Sequence, residues 1–162
     1  MSVKSLCLII SIAIAALSEA AIANARADSS LADKKQKATC PDGYTQACFQ
    51  DGCYCYAIKE PVYWARAISR CRQDGTDIVS IHSAEEHQFL NEFIPGDAWL
   101  GVLFKDTHWA DGTLVDYDPT SWYINEPYYL HYLDVETGSW YLSSTLSDKK
   151  YVVCKVPAVN AN

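Results

Sequence analysis

The densest run of side chains equipped for recognition lies at residues 122–142, WYINEPYYLHYLDVETGSWYL, where aromatic rings take eight positions if His131 is counted. Tyrosine and tryptophan tolerate one buried end and one wet end. Such a run therefore either fills a core or presents ring faces to a sugar or a protein partner. One Glu-Pro pair, Glu126-Pro127, stands in its midst. Catalytic groups are not arranged for work. His82 and His87 in HSAEEH lie five residues apart, whereas two metal ligands on one helix face need H-E-x-x-H spacing. The sequence contains no G-x-S-x-G elbow. With no nucleophile beside a placed base, the chain is expected not to be an enzyme. It contains no N-x-S/T sequon either, so N-glycosylation is not expected.

Composition limits how much aromatic material a core can absorb. A chain of 162 residues with 49% hydrophobic and 20% charged residues suits one globular domain, for which 5 Trp and 11 Tyr are many. Before that domain, Lys4 precedes the apolar run LCLIISIAIAAL at residues 6–17, and A-N-A and A-R-A offer cleavage after Ala25 or Ala27. The run is shorter than the roughly 20 apolar residues that cross a bilayer. Residues 1–25 are accordingly expected to be a secretory signal, and the protein to be extracellular without a membrane anchor; an anchor would need the run to continue past Glu19 through AAIA. Removing residues 1–25 takes away one base, Lys4, and one acid, Glu19, so the net charge stays at −7. That charge argues against a nucleic-acid partner, which calls for a basic footprint.

Secretion sets the reading of the cysteines. Cys7 leaves with the signal, and Cys40, Cys48, Cys53, Cys55, Cys71 and Cys154 remain. An even number in an oxidising compartment implies disulfides. A zinc site built on CYC and Cys48 lacks a second ligand pair at the required spacing.

Residues 26–39 are polar and aperiodic, as a flexible leader would be. From Cys40, turn signals alternate with short aromatic strands, as in small hairpin arms. Glu60-Pro61 is expected to open a helix with Pro61 at or near its first position, a stripe of Trp64, Ile68 and Cys71, and a stop at Gly75. DIVSIH, residues 77–82, reads as a strand. Ser83 to Glu86 form a capping box that starts a second helix, running to about Phe93 before Pro95-Gly96. AWLGVLF, residues 98–104, is the next strand, in which Gly101 suggests close approach by another backbone. A turn-rich stretch follows to Gly138, and GSWYL and KYVVCK close as strands. The class is α+β. The long loop calls for a function, because structureless segments of that length in compact domains usually have one.

The succession CPDGY, YWARAISRC, DIVSIHSAEEHQFL, WLGV, WADGT, SW, NEP, GSW and YVVCK resembles the C-type lectin-like domain. It runs from Cys40 to about Pro157, the domain expected at residues 40–157, with residues 158–162 as a tail. No one segment is specific, but nine in register are. The resemblance implies the C-type lectin-like fold: two helices, small antiparallel sheets and a long loop region, stapled by disulfides. It implies a Cys71–Cys154 bond between the first helix and the last strand. For the N-terminal hairpin it suggests Cys40–Cys53, which leaves Cys48–Cys55; Cys55 could replace Cys53, since the two lie at i, i+2 on one strand face. The family's inner disulfide is missing: Asp134 and Thr145 fall where its cysteines belong.

In calcium-dependent members an E-P-N or Q-P-D triplet and a W-N-D pair supply oxygens to one calcium ion, which in turn binds sugar hydroxyls. Here the triplet is Glu126-Pro127-Tyr128, the N-D positions hold Tyr141 and Leu142, and Tyr132 stands at a further carboxylate position. Calcium takes about six to eight oxygen ligands, which a phenol or an isobutyl group does not supply. No metal or cofactor is therefore expected, with two openings for calcium: Asp134 or Glu136 under a slipped register, or a separate site among Asp106, Asp111, Asp116 and Asp118. The candidate ligand-binding residues are Glu126, Pro127, Tyr128, Tyr129, Tyr132 and Tyr141, with Pro127 expected to be cis. These tyrosines bind a ligand or fill the space left by the ion and the disulfide. Three functions follow: a lectin-like recognition protein that binds an extracellular protein or glycan without calcium; a sugar-binding lectin using a rebuilt site or aromatic stacking; or an acidic structural or surface-active extracellular protein.

Overall fold

In the computed structural model the residues described are 38–102, 107–119, 130–143 and 145–160, with positions 22, 24 and 26. Nearly all of the signal and of the leader, and Glu126, Pro127, Tyr128 and Tyr129, lie outside them. The elements that follow belong to the unit Cys40–Val159. They are β1 (Thr45–Cys48), β2 (Cys53–Tyr63), α1 (Trp64–Arg72), β3 (Asp77–Ile78), α2 (Ala84–Phe93), β4 (Ala98–Trp99), β5 (Leu130–Asp134), β6 (Ser139–Ser143) and β7 (Lys149–Pro157). The sheet runs β1-β2-β7-β4-β5-β6, and β3 also pairs with β7. Among the described residues of this sheet, only the β7–β4 pairing is parallel. Two helices with a mixed sheet, among the described residues of this unit, give the expected α+β class.

β7 organises the unit, because both of its faces are covered. Val152 and Cys154 pack with Ala67 and Cys71 of α1, Ile78 and Trp99. Val153 points into a second cluster with Tyr56, Leu90, Leu100, Trp109, Leu133 and Trp140. Strands buried on both sides read as continuous apolar runs, which is why YVVC does not alternate. The Cys71–Cys154 bond, spanning 83 residues, ties α1 to this strand as the family resemblance implies.

The hairpin disulfides correct the expected pairing. The bonds are Cys40–Cys55 and Cys48–Cys53, the arrangement in which Cys55 replaces Cys53, and not Cys40–Cys53 and Cys48–Cys55. The β1–β2 register is the cause: Cys48 stands directly opposite Cys53, whereas Cys55 faces Gln46. Cys53 is thus taken by its cross-strand neighbour at a Cα separation of 3.9 Å. Cys55, fully buried, bonds Cys40.

Pro61 is a second correction. It lies within β2, and α1 begins only at Trp64. The β2–β7 register slips between Lys59 and Val62, a bulge where the missing proline N–H costs no ladder bond. The capping box stands as expected, with Ser83 Oγ accepting from the Glu86 amide at 3.1 Å. The Glu86 side chain reaches one residue further back, to the His82 amide at 2.9 Å. At Gly101 a Cβ would lie 3.0 Å from the Val79 carbonyl, the close backbone approach expected there.

Candidate functional site

The residues able to bind divide between a tyrosine face on β5–β6 and a buried polar network under β2 and β7. On β5–β6, Tyr132 and Tyr141 are direct register partners. Their rings lie 5.9 Å apart at 33°. Trp99 of β4 backs Tyr132 edge-on at 6.3 Å. Lys150 Nζ sits 3.7 Å from the centre of the Tyr132 ring and 3.0 Å from Asp97 Oδ2. Burial, then the nearby charges of Asp97 and Asp134, push the Tyr132 phenol up, so it stays a neutral hydroxyl. Tyr141 and Leu142, at the positions where the resemblance puts the ligand Asn and Asp, are 43% and 44% exposed. Trp140, 3% exposed, is structural: it packs on Trp109, Tyr117 and His87 and donates its indole N–H to His87 Nε2 at 3.2 Å.

Calcium does not fit the described part of this face. Tyr132 already carries the Lys150 ammonium over its ring. Asp134 is committed to the β5–β6 turn, its Oδ1 accepting from the amides of Glu136 at 3.0 Å and Thr137 at 2.9 Å. The bond from the Thr137 amide is the main reason its carboxyl is held below the usual range. Asp111 and Asp116 belong to the second region, and Asp106 lies outside the described residues. Among the described residues no three His, Cys, Asp or Glu side chains are grouped to hold a metal ion.

Sequence reasoning did not find the buried polar network. Glu86, 1% exposed, accepts the Tyr56 hydroxyl at 2.6 Å and pairs with Lys155 Nζ at 2.6 Å. Lys155 also donates to the Ser80 carbonyl at 3.0 Å and lies 4.2 Å from the centre of the Tyr54 ring. Burial first, and then the Glu86 charge, raises the Tyr56 phenol far above its ordinary range. Beside it, His82 joins Asp116 Oδ1 at 2.7 Å through Nδ1 and Thr113 Oγ1 at 3.2 Å through Nε2. A lysine directly after the last-strand cysteine, inside an apolar run, is the one signal that pointed there.

His131 adds a buried base beneath the tyrosine face. It is 3% exposed, and desolvation holds its pKa at about 4. His87 is lowered as well, by burial, against a hydrogen bond with the Gly138 backbone that raises it.

Known proteins share this architecture. The family model described as Lectin C-type domain matches residues 60–156. Lymphocyte antigen 75 of Mesocricetus auratus is 31% identical over 118 residues, 67% of this chain but only 7% of that much longer protein. Dromaiocalcin-1 of Dromaius novaehollandiae is 30% identical over 135 residues, 74% of this chain and 92% of that one. The crystal structure of a calcium-independent type II antifreeze protein superposes with a TM-score of 0.62 at 25% identity, covering 75% of this chain and 97% of that one. A family match over more than half the sequence, on a sheet and helix pair joined by the same disulfide that the motifs imply, places the chain in the C-type lectin domain family.

Proposed function

We propose that this protein is a secreted recognition protein that binds an extracellular protein or glycan without the family's usual calcium ion. Its binding face is built from Glu126, Pro127, Tyr128, Tyr129, Tyr132 and Tyr141. One observation carries the reading: Tyr141 and Leu142 occupy the expected calcium-ligand positions and stand 43% and 44% exposed, available for contact and unable to coordinate. Exposed Tyr beside a ring held edge-on by Trp99 is a rigid surface on which a sugar C–H face or an apolar protein side chain can stack. The similarity to a calcium-independent antifreeze protein agrees with a lectin-like domain working without that ion. Secretion is supported by the N-terminal apolar run and by the three disulfides, which persist in oxidising compartments. Among the described residues no helix is long and apolar enough to cross a membrane. The role is binding, not catalysis.

The test is a screen of glycan and protein arrays in chelator, repeated with Tyr141→Ala. A ligand whose affinity falls roughly tenfold or more in the variant, as loss of an aromatic contact predicts, supports the reading. Ligands that bind only with calcium restored, or bind the variant equally well, contradict it.

A further inference from the structure

A cavity of about 430 Å³ opens between β2, the turn after α1, residues 111–113 and the end of β7. It shares no lining residue with the tyrosine face, and in the sheet β4 stands between β7, which lines it, and the strands of Tyr132 and Tyr141. Its size is that of a small-ligand site. Thr76, Ser80 and Lys155 are its buried lining, Tyr54, Val156 and Pro157 its apolar part, and Asp77, Asp111 and Thr113 its polar rim.

The hydrogens around this cavity are already committed. Lys155 Nζ donates to Glu86 Oε1 and the Ser80 carbonyl, and its third hydrogen is directed at Ser80 Oγ, 3.5 Å away. The Tyr54 hydroxyl donates to Asp51 at 2.7 Å, that of Thr76 to the Cys71 carbonyl at 3.1 Å, and that of Thr113 to Asp111 Oδ1 at 2.6 Å. The Ser80 side chain also bonds Asp111. Both ring nitrogens of His82 are engaged, by Asp116 and Thr113. What remains is acceptor capacity on the carboxylates and hydroxyl oxygens. Desolvation works to raise the Asp111 carboxyl, but the bonds from Ser80 and Thr113 and the charge of His82 outweigh it and hold the group low, hence ionised. An anion finds no free donor here. A neutral polyol brings no charge to meet that of the carboxylate.

We infer that this cavity binds an aliphatic primary ammonium group, its nitrogen donating to Asp111 and its methylenes lying along Tyr54, Val156 and Pro157. An ammonium brings three donors and a charge, which suits a carboxylate partner. The net charge of −7 draws cations toward the surface. The source is the lysine side chain of a basic peptide or a small free amine, the same chemistry in either case.

The test is amide shift mapping by NMR of the ¹⁵N-labelled chain, titrated with n-butylammonium chloride, with N-acetyl-lysine methylamide, and with 1-pentanol as a neutral isostere. The inference expects saturable shifts at Gly75, Thr113 and Val156 from both amines, with a Kd on the order of millimolar for so few heavy atoms, and none that saturate from pentanol. Asp111→Asn is expected to weaken binding by roughly tenfold, as loss of a charge-assisted bond does. Tighter binding of the lysine amide points to a peptide side chain, and equal or weaker binding to a free amine. Absence of saturable shifts, or equal shifts from pentanol, overturns the site. If Asp111→Asn moves signals across the whole spectrum, the pentanol comparison on the unaltered chain decides.

Discussion

Replacing Lys155 by Met probes the network that holds α2 against β7. Methionine keeps the apolar stem and removes the ammonium, together with its contact over the Tyr54 ring. Nζ lies 2.6 Å from Glu86 Oε1, and the two side chains are 6% and 1% exposed. At an effective dielectric of about 20 the attraction at that distance is roughly 6 kcal/mol. Glu86 in the variant keeps the Tyr56 hydroxyl and the His82 amide, which soften the loss. Breaking a buried pair from one side costs about 3–5 kcal/mol, and Lys155→Met is expected to fall in that range, near 4. The assay is urea unfolding with the disulfides intact, read as midpoint and slope. Adding Glu86→Gln removes the orphaned charge, so the double variant is expected to recover about 2 kcal/mol relative to Lys155→Met alone. A single-variant cost under about 1 kcal/mol, with the two changes strictly additive, would refute the claim that the charges are buried and coupled.

The disulfide map is open to non-reduced peptide mapping: cleavage after Tyr54 separates Cys53 from Cys55, and the fragments are expected to join Cys40 to Cys55 and Cys48 to Cys53. Removing Cys71 and Cys154 together as alanines frees an 83-residue span, for which loop-closure entropy gives a loss of about 4.5 kcal/mol, measured by denaturation. The depressed His131 means that the unfolded chain binds a proton which the folded chain refuses between its ordinary pKa of 6.5 and about 4. Stability is therefore present at neutral pH and lost as pH falls through that window, by about 2 kcal/mol between pH 7 and 4.5. Unfolding curves of the chain and of His131→Asn should converge by that amount as the pH is lowered. Gly101→Ala would put a methyl 2.8 Å from Ile78 Cγ2 and 3.0 Å from the Val79 carbonyl. Thermal and urea unfolding are expected to report a cost of about 2 kcal/mol from overpacking.

The features legible in the sequence were those with a local physical signature. The Ser83 cap, the α1 surface that buries Cys71 and the tight spot at Gly101 each follow from short-range geometry, and each appears in the structure. Features decided by tertiary pairing were not legible. Pro61 suits a helix start, yet the β2–β7 bulge suits it equally, and only the partner strand decides. Which of Cys53 and Cys55 met Cys48 depended on the hairpin register. β5 reads as part of the long loop because Leu130, His131 and Leu133, buried on a strand covered on both faces, show no alternation. Glu86 in a first helical turn reads as a solvated residue favoured by the helix dipole. Its burial depends on Lys155, 69 positions later in the chain. Of the candidate site, Tyr132 and Tyr141 come together, whereas Glu126, Pro127, Tyr128 and Tyr129 lie outside the described residues.

Calcium titration of the refolded mature protein by calorimetry, paired with thermal unfolding in calcium and in chelator, tests the central claim most directly. A face whose ligand positions hold Tyr132, Tyr141 and Leu142 predicts no saturable heat and the same melting temperature in both conditions. Saturable binding with a raised melting temperature, as preferential binding to the folded state requires, would contradict the account and return the protein to the calcium-dependent sugar-binding members of its family.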